Sequence, residues 1–233
     1  PHLTPLVTSV RPYTPGDAFN RIHWRSSARH QELQVKEFDI EPSADLWIFA
    51  DLDRTVHVGS GDHATIETTV DAAAALAVHA LNDDRGVGLE AIGLRRAVIA
   101  TDRSARQQHK ILSLLAVAQA EGTTTLAEML VEGSARLRQG TAALAITPSL
   151  DRSWVAPLAA LRHAGVAPIA VIVDPLAHLG ATLATEDQPR LARSEREPRE
   201  QELRALMHLL AEHDVRAFVL GPDQPLGEQL VST

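Results

Sequence analysis

The chain has 233 residues, 45% of them hydrophobic but only 3% aromatic, so it can bury a sizeable core and that core must be aliphatic. A formal net charge of −8 argues against non-specific nucleic-acid binding, and the lack of cysteine excludes disulfide staples and thiolate metal sites. No apolar run approaches the ~18–20 residues of a membrane helix. A chain that opens Pro1-His2 without Met is expected to be a piece of a longer protein, so membrane segments elsewhere in the parent stay open.

Residues 1–45 differ in texture from the rest. Pro1, Pro5, Pro12 and Pro15 keep the start extended, and Pro15-Gly16-Asp17 is a turn signal. Asp17 is placed to cap a short helix, because its carboxylate can accept the unpaired amide hydrogens of a first turn. Arg21, Arg25 and Arg29 follow at helical spacing and form one basic stripe, a candidate partner-binding patch. The competing reading is structural: Trp24 plugs a sheet edge and the arginines only orient the segment. Gln34–Glu41 alternates in the manner of an edge strand.

From Leu46 onward strands and helices alternate. Leu46–Ala50 is a continuous apolar run of the kind buried on both faces of a sheet. Thr65–Asp83 reads as a helix with Ala72, Ala73, Leu76 and Ala80 on its apolar side. Gly88–Ile92 and Ala97–Thr101 are short strands whose tight connection forces an antiparallel pair. Ser104–Gln119 and Leu126–Leu137 are helices, Ala142–Thr147 a strand, Ser153–His163 a helix and Pro168–Val173 a strand. The charged run within Pro175–Arg199 reads as a mobile surface loop. Glu200–His213 is a helix, Val215–Leu220 the last strand, and residues 222–233 a tail. The pattern predicts one α/β unit over residues 46–221, with a mostly parallel sheet, one antiparallel edge strand and helices on both faces.

Ligands of open α/β sheets bind where strands end, near the point at which strand order reverses. Asp51, Asp53 and Thr55 are expected on such a loop, directly after Leu46–Ala50. Two carboxylates this close repel unless a cation or a basic side chain relieves them. Arg54 is one candidate for that role and a bound metal the other. His57, Asp62 and His63 lie close in sequence, but loop histidines of this kind are more often solvated than metallated. No nucleophile elbow and no phosphate-binding P-loop is present, since Gly59-Ser60-Gly61 has the wrong spacing for the former.

The stretch Arg11 to Arg29, R-P-Y-T-P-G-D-A-F-N-R-I-H-W-R-S-S-A-R, followed by V-K-E-F at Val35–Phe38 and a strand ending in Asp51, resembles the bacterial family called Domain of Unknown Function fifty-eight. Arg11, Tyr13, Gly16, Asp17, Arg21, Ile22, Trp24, Ala28 and Arg29 carry the match. The resemblance implies that the remainder is a von Willebrand factor A-like domain. It implies a membrane-anchored parent, with this part on the cytoplasmic face, and a partnership with a MoxR-type AAA+ ATPase. The function so implied is a non-catalytic protein-interaction module.

Von Willebrand A domains often hold Mg²⁺ with D-x-S-x-S on this loop, a Thr on a second loop and an Asp after the fourth strand. Hard cations take such oxygen ligands, with waters completing the octahedron. Here Asp51 matches, Asp53 stands where Ser is expected, and Thr55 replaces the second Ser. G-T-T-T-L at Gly122 to Leu126 places Thr124 as the hydroxyl ligand. The fourth strand ends Thr147-Pro148, so the expected Asp is missing and Asp151, four residues later, is its nearest substitute. F-A-D-L-D-R-T-V also resembles the first motif of haloacid-dehalogenase-type phosphatases, in which Asp51 would be the nucleophile and Asp53 the general acid–base. That Mg²⁺-dependent chemistry needs a Lys and a further acidic pair beside Asp51.

Overall fold

The computed structural model describes residues 9–12, 27, 29, 32–37, 44–185 and 193–222. It divides into two compact units, Pro1–Ala44 and Asp45–Thr233. In the first unit, β1 (Ser9–Pro12) pairs antiparallel with β2 (Gln34–Glu37), with Val10 opposite Lys36. The expected edge strand at Gln34–Glu41 is therefore half of a separate two-stranded ribbon and adds nothing to the large sheet. Residues 38–41 of that expectation lie outside the described residues, as do Arg21, Trp24 and Arg25. Arg29 is described and exposed.

The second unit is built on β3 (Leu46–Ala50), β4 (Val87–Ile92), β5 (Arg96–Asp102), β6 (Ala142–Thr147), β7 (Ala167–Val173) and β8 (Arg216–Leu220). Their spatial order is β5-β4-β3-β6-β7-β8. Neighbours run parallel except β4 and β5, which are antiparallel. The chain starts in the middle of the sheet, builds outward to β5, then returns across β3 to build the other half. Order reverses between β3 and β6, and that switch point is where a strand-end site belongs.

Every residue of β3, β4 and β6 is buried. Trp47 and Phe49 project to one face, where they join Leu126, Leu130, Trp154, Leu158, Leu206 and Leu210 in the largest described core. The opposite face receives α1 (Thr65–Asn82), which packs on β3, β4, β6 and β7 through Ala72, Ala73, Ala77 and Ala80. Small side chains let this helix lie close over the middle of the sheet, and straight runs of Ala carry little entropy cost in a helix. Beside it, α2 (Ala105–Leu115) buries Ile111 and Leu115. On the first face lie α3 (Leu126–Gly133) and α4 (Val155–Ala160).

Ahead of the charged run, the apolar start of Pro175–Arg199 forms α5 (Pro175–Thr185), and the later part of that run, expected as a mobile loop, is the start of α6 (Arg193–Glu212). Residues 186–192 between them lie outside the described residues. Pro175 starts α5 because a first-turn residue needs no amide hydrogen, and Asp174 Oδ1 accepts from the amides of Leu176 (2.9 Å) and Ala177 (3.2 Å). Pro198 sits inside α6. An i,i+4 pair between Arg196 and Glu200 (3.2 Å) supports the turn around it. No helix among the described residues is long and apolar enough to cross a membrane.

Candidate functional site at the carboxyl end of the central strands

β3 continues its ladder one residue beyond the strand, where the Asp51 amide donates to the Ile146 carbonyl (3.0 Å). The Asp51 side chain is thereby turned inward, and the residue is 1% exposed. Its Oδ2 accepts from the Thr147 hydroxyl at the end of β6 (2.6 Å), and its Oδ1 accepts from the Asp53 amide (3.1 Å). Thr147 Oγ1 in turn accepts from the Ser149 amide (2.9 Å). Burial pushes the Asp51 carboxyl up to about 6, against the pull of the Thr147 hydroxyl and the Asp53 amide; the nearby Asp53 charge adds a smaller push in the same direction as burial.

Asp53 is 4% exposed. Its Oδ1 accepts from both the amide and the hydroxyl of Thr55, each at 2.9 Å. The chain here is stitched to the loop before α3. Asp53 forms a parallel bridge with Gly122, the Arg54 amide donates to the Gly122 carbonyl (3.0 Å), and the Gly122 amide donates to the Leu52 carbonyl (2.9 Å). A Cβ at position 122 would run into the carbonyl oxygens of Ile92 and Leu52, so only glycine lets the two loops meet. Thr124, two residues on, is half-buried in the same loop. Thr125 belongs to the helix: its hydroxyl accepts from the Glu128 amide (3.3 Å) and Glu128 Oε2 accepts from its amide (2.9 Å), a capping box on α3.

The structure brings Asp51, Asp53 and Thr55 together, with the Thr124 loop bonded alongside. It treats Asp151 differently. That carboxylate accepts from the Arg152 amide (2.8 Å) and the Ser153 hydroxyl in its own turn, and the Ser153 bond is the main reason its pKa is depressed. The strand that the missing Asp was expected to follow ends in Thr147, whose hydroxyl bonds Asp51 directly. Arg54 is exposed and, among the described residues, forms no ion pair, so it does not neutralise the two aspartates as the sequence allowed. His57, set aside at the sequence level, is part of the site. Its Nε2–H donates to the Asp51 carbonyl (2.9 Å) and Nδ1 lies 3.0 Å from Thr65 Oγ1. Burial pulls the His57 pKa below its ordinary value. The signal for His57 was its place two residues after Thr55 on a strand-end loop; the signal for Thr147 was a hydroxyl ending the neighbouring strand.

The donor set suits a hard cation: two carboxylates and two threonine hydroxyls, all oxygen. It is sparse, because among the described residues no group of three or more His, Cys, Asp or Glu side chains is placed to hold a metal ion. Mg²⁺ there would draw on Asp51, Asp53, Thr55 and Thr124 and would keep several waters. The phosphatase constellation is not assembled among the described residues. Lys110 acts on Asp102, which pairs with Val87 at the opposite end of the sheet, and Asp174 is occupied in capping α5.

A search of solved structures finds the von Willebrand A domain of SpRpn10, 14% identical, with a TM-score of 0.50 over 79% of this chain and 91% of that one. BatB from Bacteroides thetaiotaomicron is 12% identical over 56% of this chain and 67% of its own, with a TM-score of 0.44. The likeness to the SpRpn10 domain shows a von Willebrand A-like fold, and at 14% identity it shows nothing more. Among characterised and uncharacterised sequences, the chain is 32% identical over 120 residues to the uncharacterized protein YeaD of Bacillus subtilis (strain 168). That match spans 52% of this chain but 28% of YeaD. A family model matches residues 9–179, from β1 through the middle of α5, and the chain belongs to the family described as protein of unknown function DUF58.

Proposed function

We propose that this chain is a non-catalytic protein-interaction module that presents the carboxyl-end loops around Asp51, Asp53, Thr55 and Thr124 to a protein partner. The observation that carries this reading is the state of Asp51. It is 1% exposed and each of its oxygens is engaged inside the fold. A nucleophilic carboxylate has to reach its electrophile, whereas a buried one serves to shape the loop around it. The partner class inferred from the family resemblance is a MoxR-type AAA+ ATPase, and the parent is proposed to be anchored in the membrane with this domain on the cytoplasmic face. The basic stripe Arg21, Arg25 and Arg29 is proposed as a second partner contact.

Mg²⁺ is proposed to bind the isolated domain weakly or not at all, its coordination being completed by a partner's oxygen. The test is a thermal melt with and without millimolar Mg²⁺ on the wild type and on Asp51→Ala. Small or absent shifts in both are expected. A large rise in melting temperature in the wild type alone would instead assign a self-sufficient metal site. Copurification of the full-length parent with its neighbouring ATPase, lost on replacing Asp53 and Thr55, supports the partner reading. Mg²⁺-dependent phosphate release that disappears in Asp51→Asn would overturn it.

A further inference from the structure

The acidic loop fastens itself locally. Asp51, Asp53 and Thr55 bond one another, and the Val56 amide donates back to the Asp53 carbonyl (3.2 Å). Among the described residues, one imidazole sets this group against the rest of the molecule on the α1 side. His57 spans from the Asp51 carbonyl to Thr65, the first residue of α1. Thr65 closes the loop from the other side: its amide donates to the Val58 carbonyl (2.9 Å) and its hydroxyl accepts from the Val58 amide (2.9 Å). Thr65 is fully buried, so this anchor does not shift with solvent.

The outer part of the same loop rests on α5. The Ser60 amide donates to Thr182 Oγ1 (3.3 Å), and His178 Nδ1–H donates to the His63 carbonyl (2.9 Å). His178 is fully buried and Thr182 nearly so. Gly59 passes between these groups with φ of 85°, and a Cβ there would lie 3.0 Å from Thr182 Oγ1. Two polar side chains, His178 and Thr182, lie on the buried side of α5, and each is bonded to the backbone of this loop, as buried polar groups require.

We propose that His57 is the positioning residue of the acidic loop, tying the Asp51 carbonyl to the start of α1, and that α5 seats this tie from behind through His178 and Thr182. The proposal rests on the reading of the loop as the partner-facing site. It makes α5 a surface from which a second event can loosen or tighten Asp53 and Thr55 without touching them.

The test is residue-resolved amide hydrogen exchange on the whole chain, without metal or partner. In His57→Ala, exchange at the Asp53, Thr55 and Val56 amides should rise roughly tenfold, as loss of about one net hydrogen bond predicts. Exchange at Ile48, Phe49 and Ala145 should not change. His57→Gln should restore protection, since its carboxamide can donate to the Asp51 carbonyl and accept from Thr65. Thr182→Val should raise exchange at Ser60 and, by about two- to threefold, at Thr55. Loop amides as protected in His57→Ala as in the wild type, an equal rise throughout the core strands, or failure of Gln to restore protection would each overturn the proposal. If His57→Ala does not fold, the other two variants decide: His57→Gln without wild-type protection at Asp53 and Thr55 overturns the role of His57, and unchanged exchange at Thr55 in Thr182→Val overturns the role of α5. Because the readout needs no ligand, a domain that ignores every partner fails the functional reading and leaves this result intact.

Discussion

Burial holds the Asp51 carboxyl at about 6, against an ordinary value of 3.8. A folded-state pKa above the unfolded one means that the native protein binds the proton more tightly. The stability contributed by this group is therefore fully present below about pH 4 and is lost as pH rises through about 6, by roughly 3 kcal/mol in total. Asp51→Asn should remove that loss. Urea unfolding of both proteins at pH 4.5 and 7.5 checks it: the wild type should weaken relative to the variant on going to pH 7.5, and parallel behaviour would show that Asp51 is not desolvated in solution. The aspartates were legible in the sequence because a long apolar run stops at them. Thr147 as their partner was not, since it stands 96 residues away and any hydroxyl residue ending any neighbouring strand would have read the same.

At the scale of elements, the unexpected feature is a charge inside β4. Glu90 is fully buried. Arg136, just after α3, approaches its Oε2 at 3.1 Å, and Arg96, at the start of β5, approaches its Oε1 at 3.6 Å. Burial raises the Glu90 pKa and the two arginines offset part of the rise. Arg96 also pairs with Glu132 on α3, so the cluster fastens that helix to the β4–β5 hairpin. Gly133 completes the fit, because a side chain there would press on Glu90 Oε2 and the Phe49 ring. Removing both arginines leaves an uncompensated buried charge, and Arg96→Ala with Arg136→Ala should cost about 3 kcal/mol, with Glu90→Met added to the pair recovering most of it. Unfolding midpoints of the double and triple variants measure this; a triple variant as unstable as the double would mean that packing, not charge, had been lost. The same scale holds the clearest misreading of the sequence. The charged run that ends in Pro198 and its neighbours suggested a loop, but from Arg193 onward it is the first part of α6, where an i,i+4 ion pair between Arg196 and Glu200 supports the turn around Pro198.

For the whole molecule, the sheet order sets a gradient of protection. β3 and β6 lie at the centre with neighbours on both sides, whereas β5 and β8 form the edges. β5 consists of exposed and half-buried residues only, and most of β8 is half-buried. Native-state hydrogen exchange should therefore be slowest in β3 and β6 and fastest in β5 and β8. Protection that is uniform across the sheet, or highest at an edge, would contradict this topology.

The sequence by itself determined the class of fold, most element positions and the place of Asp51–Thr55 directly after the central strand. Runs such as Leu46–Ala50 and Ala142–Ile146 are apolar throughout and too short for a typical helix, the pattern of strands covered on both faces. The short link after Ile92 left no room for a crossover and so required the antiparallel pair. Those inferences use neighbours in sequence, and the physics that decides them is local. Only the tertiary structure decided the strand order, the meeting of Gly122 with Asp53, the bond from Thr147 to Asp51, the outward turn of Arg54 and the seat of the loop on α5. Each of these depends on which distant surfaces bury one another, and burial then selects the hydrogen bonds that buried polar groups must make. A single residue type carries no record of that choice, and so Asp51 could be read as a site while its partners could not.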